Sequence, residues 1–124
     1  MILIPAALAA AHAVLPEWVV GKWTSLTVVH ADPTCTGYGG LISDFRANGD
    51  YSIDYGNEYL ETGTWAVKGN MLALLPTRPN RGPGTRTIRI EELPDGRMAE
   101  HYASGPAGIA ARCPAPTASQ STDP

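Results

Sequence analysis

The sequence predicts an all-β fold, a small antiparallel up-and-down barrel of about eight strands. Three observations predict it. The pattern Gly21-Lys22-Trp23 recurs as Gly63-Thr64-Trp65, each in a strand-like run. Between the two, and again after the second, stand the turn signals Asn48-Gly49 and Gly69-Asn70. The chain of 124 residues holds 13 glycines and 11 prolines, so turns are frequent. Helix-forming stretches are confined to the first residues. The length suits one domain, and the charged fraction of 17% lies below the roughly 25% usual for soluble domains.

In chain order, residues 1–13 read as a signal peptide: an apolar run from Met1 ends at Ala11-His12-Ala13, a small-residue cleavage pattern. The competing reading is an N-terminal helix packed on the domain. The run is shorter than the roughly 20 residues a membrane-spanning helix needs, so no stable membrane insertion is expected. The mature domain is expected over residues 14–113, in the periplasm or secreted. Trp18 stands near its start, placed to cap a barrel end.

The first strand is expected over Val19–Val29 and carries Trp23. Leu41–Arg46 forms the second and ends at Asn48-Gly49, a pair that suits a two-residue turn with positive φ at both positions. Tyr51–Tyr55 is the third, alternating Tyr51, Ile53 and Tyr55 against Ser52 and Asp54. Leu60–Val67 carries Trp65. Met71–Thr77 is continuous and apolar. Thr85–Glu92 alternates Ile88 and Ile90 against Arg89 and Glu91. Pro94-Asp95-Gly96 turns the chain into Arg97–Tyr102, and Ile109–Cys113 completes the set. Closure into a barrel removes the two exposed edges a flat sheet would leave. Residues 114–124 begin with two prolines and bury almost nothing; they are expected to be a disordered tail.

Few residues point to chemistry. His30 and His101 sit on separate elements with no motif between them. No nucleophile-elbow or zinc-protease pattern occurs. Two cysteines without a C-x-x-C or a nearby histidine pair do not build a zinc shell, so no metal and no cofactor is expected. Asp50, Asp54 and Glu58 lack the spacing of a calcium loop and read as a solvated outer face. Arg78, Arg81, Arg86, Arg89 and Arg97 cluster in the second half of an acidic chain, without interleaved aromatics. They read as outward strand and loop positions, and no nucleic-acid partner is expected. Pro79–Gly84 reads as a flexible hairpin loop.

The aromatic residues carry more weight. Trp23, Phe45, Tyr51, Ile53 and Trp65 are the candidate cavity-lining set. An eight-stranded barrel can hold one small ligand, or its side chains can fill the interior, and both readings stand at this point. The expected activity is non-catalytic binding of a small apolar or amphipathic molecule. The alternative partner is a protein.

The motifs Gly21-Lys22-Trp23, Phe45-x-x-Asn48-Gly49-Asp50-Tyr51 and Gly63-Thr64-Trp65-x-Val67-x-Gly69-Asn70-x-Leu72 resemble those of bacterial lipocalin-like domain proteins. The resemblance covers about residues 19–75 and implies a lipocalin-like β-barrel rather than an activity. Small exported members with one cysteine near each end also resemble the Cys35 and Cys113 arrangement. A second resemblance is to small periplasmic inhibitors of secreted metalloproteases, in which Val14–Trp18 would be the protein-binding segment. Their cysteines lie close in sequence, unlike this pair. In an oxidising compartment Cys35 and Cys113 would pair; otherwise they are two buried thiols. Barrel closure makes the first and last strands neighbours, so a bridge requires the first loop to fold back over the barrel end.

Overall fold

The computed structural model describes residues 15–36, 40–56, 59–77, 84–103, 105 and 107–114. The expected signal peptide and nearly all of the expected tail lie outside them. Eight strands form one closed barrel: β1 Gly21–Ser25, β2 Ile42–Phe45, β3 Asp50–Asp54, β4 Leu60–Lys68, β5 Met71–Pro76, β6 Arg86–Glu92, β7 Met98–His101 and β8 Gly108–Arg112. Each pairs antiparallel with the next, and β8 returns to β1 with Trp23 opposite Arg112. The expected fold class is therefore the observed one.

The first strand is shorter than Val19–Val29. The carbonyl of Pro16 accepts the amides of Val19 (3.0 Å) and Val20 (3.4 Å), which curls 16–20 into a turn before β1. Beyond Ser25 its hydroxyl accepts the Thr27 amide at 3.3 Å, and the chain bends away from the ladder. Apolar residues at both ends thus serve turns instead of extending the strand.

Asn48-Gly49 does make the β2–β3 hairpin, with a different turn. Gly49 has φ 97°, while the one described non-glycine residue with positive φ is Cys35. The Gly49 amide reaches the Arg46 carbonyl (3.0 Å) and the Arg46 amide the Asp50 carbonyl (2.9 Å). This is a three-residue loop with glycine in the left-handed bulge position. Pro94-Asp95-Gly96 repeats it, with Gly96 bonded to Leu93 and Leu93 to Arg97. Asn48 needs no positive φ, because its side-chain oxygen accepts the Asp50 amide at 2.9 Å.

Strand alternation sorts the barrel interior into two halves. At the end where β1 begins, the interior is solid. Val19, Trp23, Tyr51, Trp65, Ile90 and Met98 are all buried there. The turn at 16–20 plugs this end. The Trp23 indole N–H donates to the Val19 carbonyl at 2.8 Å, and Trp18 packs edge-on against Trp23 with centroids 6.4 Å apart. The Arg112 guanidinium lies 4.5 Å above the Trp23 ring and donates to the Trp18 and Val20 carbonyls. The Trp65 indole N–H reaches the Arg46 carbonyl at 2.9 Å. Both tryptophans thus bury large apolar area with their one donor satisfied.

The repeated glycine has a steric reason in each motif. A Cβ on Gly63 would lie 2.1 Å from the Leu75 carbonyl oxygen, so β4 and β5 could not approach as they do. Gly21 has φ +126° and leaves room for Arg112.

Cys35 and Cys113 form a disulfide with Cα atoms 5.7 Å apart across 78 residues of sequence. The Cys113 amide donates to the Lys22 carbonyl (2.9 Å), so the cystine sits on the β1–β8 seam at the plugged end. To reach it, the first loop runs back along the outer face of β1 and not over the barrel end. Thr24, outward-facing yet 0% exposed, is covered by this loop and donates to the Asp32 carbonyl at 3.1 Å.

Candidate functional site

The other half of the barrel is hollow. A cavity of about 310 Å³ lies between Phe45, Ile53, Leu72, Leu74 and Ile88 as apolar walls, and Ser25, Thr27, Val28, Leu41, Ser43, Tyr55, Arg86, Glu100 and Tyr102 around and above them. Its position follows from side-chain size. On β1 the inward positions go from Trp23 to Ser25, on β2 from Phe45 to Ser43, and on β8 from Arg112 to Gly108. On these three strands the larger of each pair falls at the plugged end and the smaller at the open end. Phe45 forms the boundary, with its ring 5.3 Å from that of Trp65 below. The volume lies at the lower end of the range for small-molecule sites, roughly 300–1,000 Å³.

Beside the cavity stands a buried polar cluster. Glu61 on β4 is 3% exposed. Arg86 on β6 grips it with two hydrogen bonds, Nη1 to Oε2 at 2.9 Å and Nη2 to Oε1 at 3.0 Å. The Tyr55 hydroxyl donates to Oε1 at 2.6 Å, and the Tyr51 hydroxyl donates to Oε2. Arg86 Nη1 also donates to the Gly84 carbonyl at 3.0 Å. Burial by itself would raise the Glu61 pKa; the hydrogen bonds from Arg86, Tyr51 and Tyr55 outweigh it, and the carboxyl is held below its ordinary value. The same burial, with Glu61 as a charged neighbour, pushes both tyrosines well above theirs. The cluster is an ionised pair whose lone pairs are satisfied, the condition under which a buried ion pair is tolerated.

Glu100 on β7 differs. It lines the same cavity, and among the described residues its one side-chain hydrogen bond comes from the Tyr102 hydroxyl, to Oε1 at 2.8 Å. Burial raises its pKa, and the Tyr102 bond only partly opposes this. Among the described residues no cation forms an ion pair with it.

Of the candidate lining residues, Phe45 and Ile53 face the cavity. Trp23, Tyr51 and Trp65 lie outside its lining, in the packed half. Tyr51 touches the site indirectly, through Glu61. Arg86 is a correction: it was expected to point outward and instead lies inside the barrel. The signal was present, since Arg86 has the parity of Ile88 and Ile90, Glu61 that of Trp65, and Glu100 that of Met98. Arg89 and Arg97 are exposed, the latter paired with Asp95 at 2.7 Å. Arg78 and Arg81 lie outside the described residues, as does Glu58. Asp50 and Asp54 are exposed, on the outer face expected for them. His30 is exposed, and His101 lies 3.6 Å from Glu91 on β6. Among the described residues no group of three or more histidines, cysteines and carboxylates is placed to hold a metal ion, and no helix is long and apolar enough to cross a membrane. Comparison with known proteins finds no matching family model, no matching curated protein and no matching solved structure.

Proposed function

We propose that the protein is a non-catalytic binding module, an exported barrel of lipocalin-like type that takes a small apolar or amphipathic molecule into the open half of its interior. The observation that carries this reading is the cavity itself: among the described residues Phe45, Ile53, Leu72, Leu74 and Ile88 form apolar walls, and Tyr55, Arg86, Glu100 and Tyr102 add polar groups. That division suits a ligand with an apolar body and a polar head. The non-catalytic part rests on Glu61, Arg86, Tyr51 and Tyr55, which satisfy one another and leave no activated base or nucleophile among them. Export is supported by the Cys35–Cys113 cystine, since such bridges persist mainly in oxidising compartments.

A second reading, a protein-binding inhibitor, draws on a shallow depression at the plugged end lined by Leu15, Glu17, Val20 and Ala47. It has less support. The described part of the segment it needs, residues 15–18, helps close the barrel, with Trp18 packed edge-on against Trp23 and its carbonyl accepting from Arg112.

The test is titration of the isotope-labelled protein with 1-octanol, followed by amide and methyl NMR shifts. Shifts are expected at Phe45, Ile53, Leu72, Leu74 and Ile88. Ser43→Phe, which places a ring into the cavity, is expected to abolish them in a folded protein. Absence of shifts, or shifts only at the plugged end, overturns the reading.

A further inference from the structure

We propose that the ligand of this cavity carries a cationic head, an alkylammonium or similar apolar amine, and that Glu100 is its counter-ion. The inference rests on the binding reading above and names the ligand class.

Among the described residues, two charged side chains line the cavity, Arg86 and Glu100. Their situations differ. Arg86 is already neutralised: Glu61 holds both terminal nitrogens in a fork at 2.9 and 3.0 Å, and the Gly84 carbonyl takes a further N–H. An anionic head could use Arg86 only by competing with a carboxylate that is itself buried and fixed by two tyrosines. Displacing it would leave Glu61 a buried charge without its cation, which is strongly unfavourable. Glu100 has no such partner. Its single bond from Tyr102 leaves Oε2 with no partner among the described residues. A neutral apolar ligand would bury this carboxylate further without compensation. An anionic one would add a like charge beside it. A cation gives it the charge-assisted partner it lacks.

The surroundings fit the same class. Tyr55 and Tyr102 line the cavity together with Glu100, and an aromatic ring within about 6 Å of a cation attracts it. Gly108, opposite Glu100 on β8, keeps the space clear: a Cβ there would lie 3.2 Å from the Thr27 hydroxyl and 3.4 Å from the Tyr102 ring. The cavity volume equals that of about ten waters at roughly 30 Å³ each, so the apolar body is short.

Among the described residues, the titratable groups that share the cavity with Glu100 are Tyr55, Arg86 and Tyr102, with Glu61 behind Arg86 and Tyr55. On the strands beside it, Arg89, Glu91 and His101 alternate to the outer face; β8 presents Gly108 and Ala110 to this half, and its third inward position, Arg112, lies over Trp23 at the plugged end. Amine affinity therefore rises with pH as Glu100 ionises, while the ammonium stays charged.

The experiment compares 1-octylamine, 1-octanol and octanoate on the full chain by calorimetry at pH 5 to 8. Expected is an amine affinity on the order of tenfold or more above the alcohol at pH 8, with a smaller ratio at pH 5 and octanoate weakest. Glu100→Gln is expected to bring the amine-to-alcohol ratio close to one and to flatten its pH profile. Equal binding of amine and alcohol, or octanoate tightest, overturns the cationic-head proposal while leaving the cavity a binding site. Failure of all three probes overturns both readings.

Discussion

Replacing Arg86 by methionine tests the interior charge arrangement directly. The substitution keeps much of the side-chain volume and removes both hydrogen bonds to Glu61. Glu61 is left 3% exposed, with only the tyrosine hydroxyls as donors. Removing one partner of a buried pair costs about 3–5 kcal/mol. For a domain near 100 residues this corresponds to a fall in Tm of roughly 12–40 °C. Urea unfolding at pH 7 is the assay. Adding Glu61→Gln to the variant removes the orphaned charge and is expected to restore about 1–3 kcal/mol. The penalty also depends on pH. In the parent, the depressed Glu61 pKa contributes stability that is present above the unfolded-state value and lost as pH falls through the folded one. In the variant, loss of Arg86 moves the Glu61 pKa upward from its depressed value, so less of this contribution is present at neutral pH. Both effects make the penalty at pH 4 smaller than at pH 7. A loss below about 1 kcal/mol, or one independent of pH, would refute the placement of a paired, buried Glu61.

Three further outcomes are expected. Cys113→Ser should destabilise by about 2–4 kcal/mol in denaturant titrations without reducing agent, and leave 1-octanol affinity unchanged, because the cystine lies outside the barrel at the plugged end. Gly63→Ala should cost at least 2–3 kcal/mol, the upper part of the usual range for overpacking, since its Cβ would meet the Leu75 carbonyl at 2.1 Å; thermal melts showing under about 0.5 kcal/mol would contradict the close approach of β4 and β5. Glu100→Gln should stabilise the ligand-free protein most at high pH. A raised folded-state pKa favours folding below the unfolded value and loses that contribution as pH rises through the folded one, so the gain over the parent should grow from pH 4 to pH 8.

The eight strands, their order and the all-β class were legible because each depends on local signals: period-two alternation, and glycine or proline where the chain must reverse. Even the Asn48-Gly49 and Pro94-Asp95-Gly96 hairpins were placed, although the turn adopted at Asn48-Gly49 was not the two-residue one expected. Cystine formation followed from closure, which brings β1 and β8 together. The path of the first loop did not, because nothing local says that Thr24 will be covered from outside. The polar interior was the larger miss. Charge on Glu61, Arg86 and Glu100 spoke for the surface, while their parity with Trp65, Ile88 and Met98 spoke for the core. Which wins depends on whether a partner waits across the barrel, and Glu61 and Arg86 meet from two strands 25 residues apart. Local pattern thus determined the barrel. Only tertiary structure decided which half is filled and which is hollow, because that depends on how side chains from all eight strands add up in one cross-section.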